Sequence, residues 1–309
     1  MKTLRRTAES RPTQEQLTWA PDVLVRYVGV EGHRIRYISI GRGPPLVLLH
    51  PLRTQLDMFQ KVILQLARRF CVFALDLPGH GLSDAPHAGY DADFFATSVA
   101  AFLEQLDVRD ALLVGESIGG TIALVLAARH NARVRRVVAI NPYDYDRGRG
   151  LRRSSALANV VLGMTAIPLL GDITVRLGPY PVVRRILEGG VSQRNSFPPG
   201  LLEALYAAGR RPGHARAFVR LVRQWPSWER ARREYANIDL PVLLLYGDRD
   251  WSRANEREVT RRAIPGARMR IIERAAHFLS LEAPSEVERA IVDFAGPQSA
   301  NAVGEETPR

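Results

Sequence analysis

Gly115-Glu116-Ser117-Ile118-Gly119, followed by Gly120, joins the apolar run Ala111–Val114 to the apolar run Ile118–Arg129. A serine between glycines at a strand-to-helix turn is the nucleophile-elbow pattern. Such a turn holds the serine in strained backbone geometry, and side chains in place of the glycines would clash across it. Ser117 is thereby presented at a helix N-terminus, where the peptide dipoles favour a developing negative charge. A glycine-rich helix start with a capping serine is the plainer reading of the same residues; the flanking strand and helix favour the elbow. A serine hydroxyl is a poor nucleophile at neutral pH. It needs a base that takes its proton and returns it to the leaving group, a task suited to histidine. A buried carboxylate must in turn fix the histidine tautomer.

The elements that would position such groups are legible from periodicity. Val23 to Val30 and Arg34 to Ile40 flank Glu31-Gly32 as a hairpin. Leu46–Leu49, Cys71–Leu75, Ala111–Val114 and Val242–Tyr246 are short apolar runs, as expected for strands buried on both faces, and Val134–Ile140 and Met269–Ile272 read as two further strands. Between them Gln55–Arg68, Asp91–Leu106, Ile118–Arg129 and Ser285–Phe294 have helical periodicity. The alternation predicts a mostly parallel, doubly wound sheet with helices on both faces. From Asn141-Pro142 to about Ala236 no strand is expected, and prolines at 168, 179, 181, 198, 199, 212 and 226 break the segment into several helices. A helical insertion between two strands of one sheet forms a cap over the carboxyl edge, where open α/β sheets bind ligands. The expected organisation is a tail over 1–21, a core over 22–142 and 237–295, a cap over 143–236 and a second tail over 296–309.

From about Val23 to Phe294 the chain resembles the α/β-hydrolase family. The elbow carries the resemblance, together with Asp76-Leu77-Pro78-Gly79-His80-Gly81-Leu82-Ser83-Asp84, a family signature after a core strand. The family's chain order is nucleophile, acid, histidine. The resemblance implies Ser117 as nucleophile and Asp250 as acid, at the fourth position of Gly247-Asp248-Arg249-Asp250. It implies His277 as general base, in Ala276-His277-Phe278 followed by Glu282-Ala283-Pro284. Asp248, and Asp144 near Asn141-Pro142, are the competing acids. Leu49-His50-Pro51-Leu52 resembles the family's oxyanion loop, with Pro51 where glycine is usual. By position the oxyanion donors are the backbone amides of Leu52 and Ile118, with His50 bracing the loop. The Asp76–Asp84 segment is read as a structural turn, with a metal site at Asp76, His80 and Asp84 as a weaker alternative. His33, His87, His130 and His214 have no motif around them and read as surface or loop.

Composition bounds the function. The 309 residues are 46% hydrophobic and 24% charged, which excludes wholesale disorder. The single cysteine, Cys71, excludes a disulfide framework. Neither a secretory signal nor a spanning run is recognisable, so a cytoplasmic location is the expectation. The net charge is +11, and all but two of the 43 basic residues are arginine. No nucleic-acid-binding pattern accompanies them, and no nucleotide, flavin or metal motif is present. Cofactor and metal are therefore expected to be absent. Most of the charge falls in the cap, as a solvated face or as weak attraction to an anionic ligand or membrane surface. The apolar run Ala156–Leu170 is expected to face the cleft, with Leu162, Ile167 and Trp225 as pocket wall. Trp228 and Tyr206 are further candidates for that wall or for cap packing. The expected activity is ester hydrolysis by an acyl-enzyme on Ser117. Carbon–carbon bond hydrolysis of a vinylogous diketone acid with the same three residues stands as the alternative, as do a non-hydrolytic receptor and an acyltransferase.

Overall fold

The computed structural model describes residues 16–296. The core is one eight-stranded sheet. Its strands are β1 (Val25–Val30), β2 (His33–Ile40), β3 (Pro45–Leu49), β4 (Cys71–Leu75), β5 (Ala111–Glu116), β6 (Val134–Ile140), β7 (Val242–Gly247) and β8 (Arg268–Ile272). The spatial order is β1-β2-β4-β3-β5-β6-β7-β8. Only β2 runs antiparallel, to both β1 and β4; all other pairings are parallel.

Strand β3 shows why these short runs are apolar throughout. Val47 and Leu49 point into one core with Val99 and Ile122, whereas Leu46 and Leu48 point into the other with Phe59 and Ile291. Successive side chains leave opposite faces of a strand, so burial on both faces removes the polar half of the usual alternation. Helices α1 (Ala92–Gln105) and α2 (Ile118–Ala128) cover the first face, and α2 is buried along its whole length. The closing helix (Pro284–Ala295) covers the second.

Between β6 and β7 the chain is helical. Its helices are α3 (Ala156–Thr165), α4 (Leu170–Leu177), α5 (Tyr180–Glu188), α6 (Leu201–Gly209), α7 (His214–Arg223) and α8 (Trp225–Ala231). After β7 come α9 (Ala254–Ala263), a single helical turn at Leu279–Glu282 and α10, the closing helix. The helical segment is stitched to the core by main-chain and side-chain hydrogen bonds. The Gly190 carbonyl accepts from the amides of His277 and Phe278, both at 2.9 Å, and the Lys61 ammonium bridges the Ser196 and Leu281 carbonyls at 2.7 and 2.9 Å.

Three expectations need correction. Gln55–Arg68 is not one helix but two single turns, Leu56–Phe59 and Ile63–Leu66. The Leu56 amide is drawn to the Asp76 carboxylate at 2.7 Å, and Asp57 is shared by Arg36, Gln55 and Trp19; these contacts compete with a continuous helical ladder. The tail expected over 1–21 is not loose from residue 16 onward, because Leu17 and Ala20 are buried in the core and the Trp19 indole donates to Asp57 at 2.7 Å. Residues 1–15 of that tail, and the C-terminal tail from 297, lie outside the described residues. His33 and His214 are buried rather than at the surface, His214 with its Nε2 3.1 Å from the Gly81 carbonyl.

Candidate active site

Strand β3 lies between β4 and β5, so the loop after β3 and the elbow after β5 emerge side by side; Leu49 pairs with Gly115. Ser117 closes β5 and opens α2 with φ 60° and ψ −121°, a conformation that a non-glycine residue holds only where its surroundings impose it. The flanking glycines are required by close approach. A Cβ on Gly115 would overlap the Gly119 carbonyl, and one on Gly119 would overlap the Leu49 carbonyl. The strain turns the serine side chain off the strand's end and away from the sheet.

The structure brings Ser117, His277 and Asp250 into one hydrogen-bonded line. Ser117 Oγ lies 2.9 Å from His277 Nε2, and His277 Nδ1 lies 2.5 Å from Asp250 Oδ1. All three are buried. With Nδ1–H donated to the carboxylate, the Nε2 lone pair is left to accept the serine proton. Asp250 Oδ2 accepts from the Ser252 amide at 2.9 Å and from the Ser252 hydroxyl, so the carboxylate cannot rotate freely. The competing acids lie elsewhere. Asp248 accepts from the Ala275 amide at 3.1 Å, bracing the turn before His277. Asp144 is bonded to Thr260 at 3.0 and 3.1 Å, and burial pushes its carboxyl up to about 6.

The two oxyanion candidates occupy the expected loops. Among the described residues, no acceptor is bonded to the Leu52 or the Ile118 amide. Pro51 does not collapse the loop. The Leu77 amide donates to His50 Nε2 at 2.9 Å, which leaves His50 Nδ1–H to donate to the Pro51 carbonyl at 2.7 Å. The Thr54 hydroxyl donates to the same carbonyl at 2.7 Å. Burial depresses the His50 pKa and so favours this neutral tautomer. Asp76 is likewise engaged in structure. It accepts from Arg36 at 3.1 Å and from the Leu56 and Leu82 amides, both at 2.7 Å.

Residues that the sequence reading passed over hold this line in place. Trp251 lies face to face on the His277 ring, centroids 3.7 Å apart and planes 15° off parallel, and its indole donates to the Gly189 carbonyl at 3.1 Å. Asn141 spans the strand ends: its amide donates to the Ala276 and His277 carbonyls at 3.1 and 2.8 Å and its oxygen accepts from the Gly247 amide at 3.1 Å. Glu116, at the variable elbow position, is fully buried, accepts from the Ser280 amide at 3.1 Å and is pushed up to about 8 by burial. Adjacency to Ser117 and Asp250 was the available signal for Glu116 and Trp251; Asn141 was marked only by the break in rhythm after β6.

Ser117 opens on a cavity of about 310 Å³. Leu162, Val161 and Phe218 contribute to its wall, and its outer edge carries Ile173 and Leu177, 54% and 71% exposed. Two expected wall residues are elsewhere. Ile167 lies in the turn beyond α3 and faces solvent, 51% exposed. Trp225 opens α8 and packs away from the cavity, against Gly148. Trp228 is buried against Phe95. The tryptophan that does line the cavity is Trp251.

Comparison with known proteins agrees with the architecture. Residues 44–166 match the α/β-hydrolase fold family. A haloalkane dehalogenase of Mycobacterium tuberculosis is 28% identical over 85% of this chain and 92% of its own. A 2-(acetamidomethylene)succinate hydrolase of Mesorhizobium japonicum is 36% identical, over 34% of this chain and 38% of its own. The crystal structure of Cfl2 from Burkholderia cenocepacia superposes with a TM-score of 0.79 at 22% identity, covering 91% of this chain and 98% of that one. The chain has the α/β-hydrolase fold, and its relatives support a hydrolase. No helix among the described residues is long and apolar enough to cross a membrane.

Proposed function

We propose that the protein is a serine hydrolase that cleaves a carboxylic ester through an acyl-enzyme on Ser117. The observation that supports this most is the unbroken Asp250–His277–Ser117 line at the floor of an apolar cavity. In the first half-reaction Ser117 Oγ attacks the ester carbonyl carbon while His277 Nε2 takes the hydroxyl proton. The C–O bond to the alcohol breaks, and the proton passes to the departing alkoxide. Water then repeats the sequence and releases the acid. Asp250 stabilises the imidazolium that forms in each half. The Leu52 and Ile118 amides stabilise the oxyanion, a contribution of ~10²–10³ in rate for each donor.

The serine separates this chemistry from displacement at a halogen-bearing carbon. An attack by Ser117 there would leave an ether on the protein, which water does not readily cleave, whereas an acyl ester turns over. The test is a screen of p-nitrophenyl esters of graded acyl length, with dienoate diketone acids alongside. Release of nitrophenol that Ser117→Ala abolishes supports the reading. Turnover of the diketone acids alone would transfer the same three residues to carbon–carbon cleavage, and turnover of neither would remove it.

A further inference from the structure

The oxyanion loop carries a cation that neither half-reaction uses. Arg53 follows Leu52 directly, its backbone held at φ 56° in the loop that His50 and Thr54 brace, so its direction from the main chain is set by the same bonds that set the oxyanion amide. The side chain reaches under the cap. Its guanidinium stands over the Phe218 ring, 4.8 Å from the centroid, and against Gly209 at the end of α6, where an added Cβ would come within 3.2 Å of Nη2. It lines the same cavity as Ser117.

Arg53, half-buried at the cavity wall, lacks an ion-pair partner. Arg36, which is buried, is paired with Asp57 at 3.2 Å and Asp76 at 3.1 Å. Among the described residues Arg53 has no carboxylate partner; beside the loss of hydration, the neighbours that act on it are the Tyr206 phenol and, more weakly, Arg210, of the same sign. Loss of hydration draws its pKa down to about 10, so it still carries its charge at neutral pH. Withdrawing part of a cation from water without an anion to meet it is unfavourable. Phe218 recovers part of that at most. Arg53 is the only charged side chain among the described residues of the cavity wall.

We propose that Arg53 is an anchor for a carboxylate at the far end of the substrate's acyl part, so that the preferred substrates are monoesters of dicarboxylic acids with an apolar linker. A guanidinium presents paired donors in the geometry of a carboxylate. One cation in an apolar cavity balances one negative charge; a phosphate dianion would enter under-compensated. The proposal takes its reaction from the ester-hydrolase reading, whereas its binding step stands apart from that reading.

The experiment therefore has a kinetic arm and a binding arm. In the first, kcat/KM is measured for the p-nitrophenyl monoester of adipic acid and for a neutral ester in which an isopropyl group replaces the free carboxylate. Wild type should prefer the acid by at least ~10-fold, the lower range for a charge-assisted hydrogen bond. Arg53→Met should collapse that ratio through KM, and Arg53→Lys should restore part of it. In the second arm, the monoamide of adipic acid is titrated calorimetrically into Ser117→Ala and into Ser117→Ala/Arg53→Met. Binding that depends on Arg53 upholds the anchor even if no ester turns over, in which case only the ester reading fails. A ratio unchanged by Arg53→Met, with both esters falling together, would overturn the anchor and leave Arg53 as a pin between loop and cap. Binding equal in the two Ser117→Ala proteins would overturn it too.

Discussion

Glu116→Gln is expected to make the protein less sensitive to alkaline pH. The Glu116 carboxyl sits behind the nucleophile with one oxygen on the Ser280 amide, and its other oxygen, like the Ser280 hydroxyl, has no partner among the described residues. Burial raises its pKa from 4.5 to about 8. The folded protein thus holds a proton that the unfolded chain releases above pH 4.5. For a raised pKa the stabilisation is complete below the unfolded value and is lost as pH climbs through the folded one. A shift from 4.5 to about 8, at about 1.36 kcal/mol per unit, sets a ceiling of roughly 5 kcal/mol; water entering around the ionised carboxylate subtracts from it. Glutamine keeps the shape and the acceptor for the Ser280 amide and carries no titration. The assay is urea unfolding of both proteins at pH 5 and pH 9. Wild type should lose at least ~2 kcal/mol more than Glu116→Gln between the two. The common contributions of Asp144 and the histidines cancel in that double difference. Parallel loss in both proteins would refute the reasoning and place the Glu116 carboxyl in a hydrated site.

Asp250→Asn should lower kcat by about 10³–10⁴ while leaving KM near its wild-type value, because the histidine tautomer and not the substrate contact is lost; steady-state kinetics on a short ester decide it. Leu162→Asn, which puts a polar group on the cavity wall, should lower kcat/KM for long acyl esters by ~10-fold and for acetate by far less. The same change at solvent-facing Ile167 should leave both untouched, and a uniform fall from Leu162→Asn across chain lengths would count against an acyl pocket.

The sheet was legible because burial on both faces turns β3, β4 and β7, and β5 up to Val114, into unbroken apolar runs, and β6 into one from Val137 onward. The site was legible in order rather than in distance: Ser117 by its glycines, Asp250 and His277 by their places after late strands. Side-chain direction in the cap was not. Apolarity marks Leu162 and Ile167 alike, but one lies on the inner face of α3 and the other in the turn beyond it. Trp225 has the composition of a pocket wall, and its place at the start of α8 turns it toward Gly148. Long-range bonds were equally silent in the sequence. Asn141 reaching the His277 carbonyl, and Trp251 spanning His277 and Gly189, join residues that only the folded sheet brings together. The uncompensated charge of Arg53 could not be read from a chain so rich in arginine.

The claim on which the rest depends is that Ser117 is the nucleophile and that His277 activates it. Its most direct test is treatment of the folded protein with a fluorophosphonate probe, followed by peptide mass spectrometry. The account predicts a single adduct on Ser117, formed rapidly in wild type and strongly slowed in His277→Ala, whose serine keeps its position but has no base at 2.9 Å. An adduct on another serine, no adduct at all, or labelling of Ser117 at the same rate in His277→Ala would contradict it.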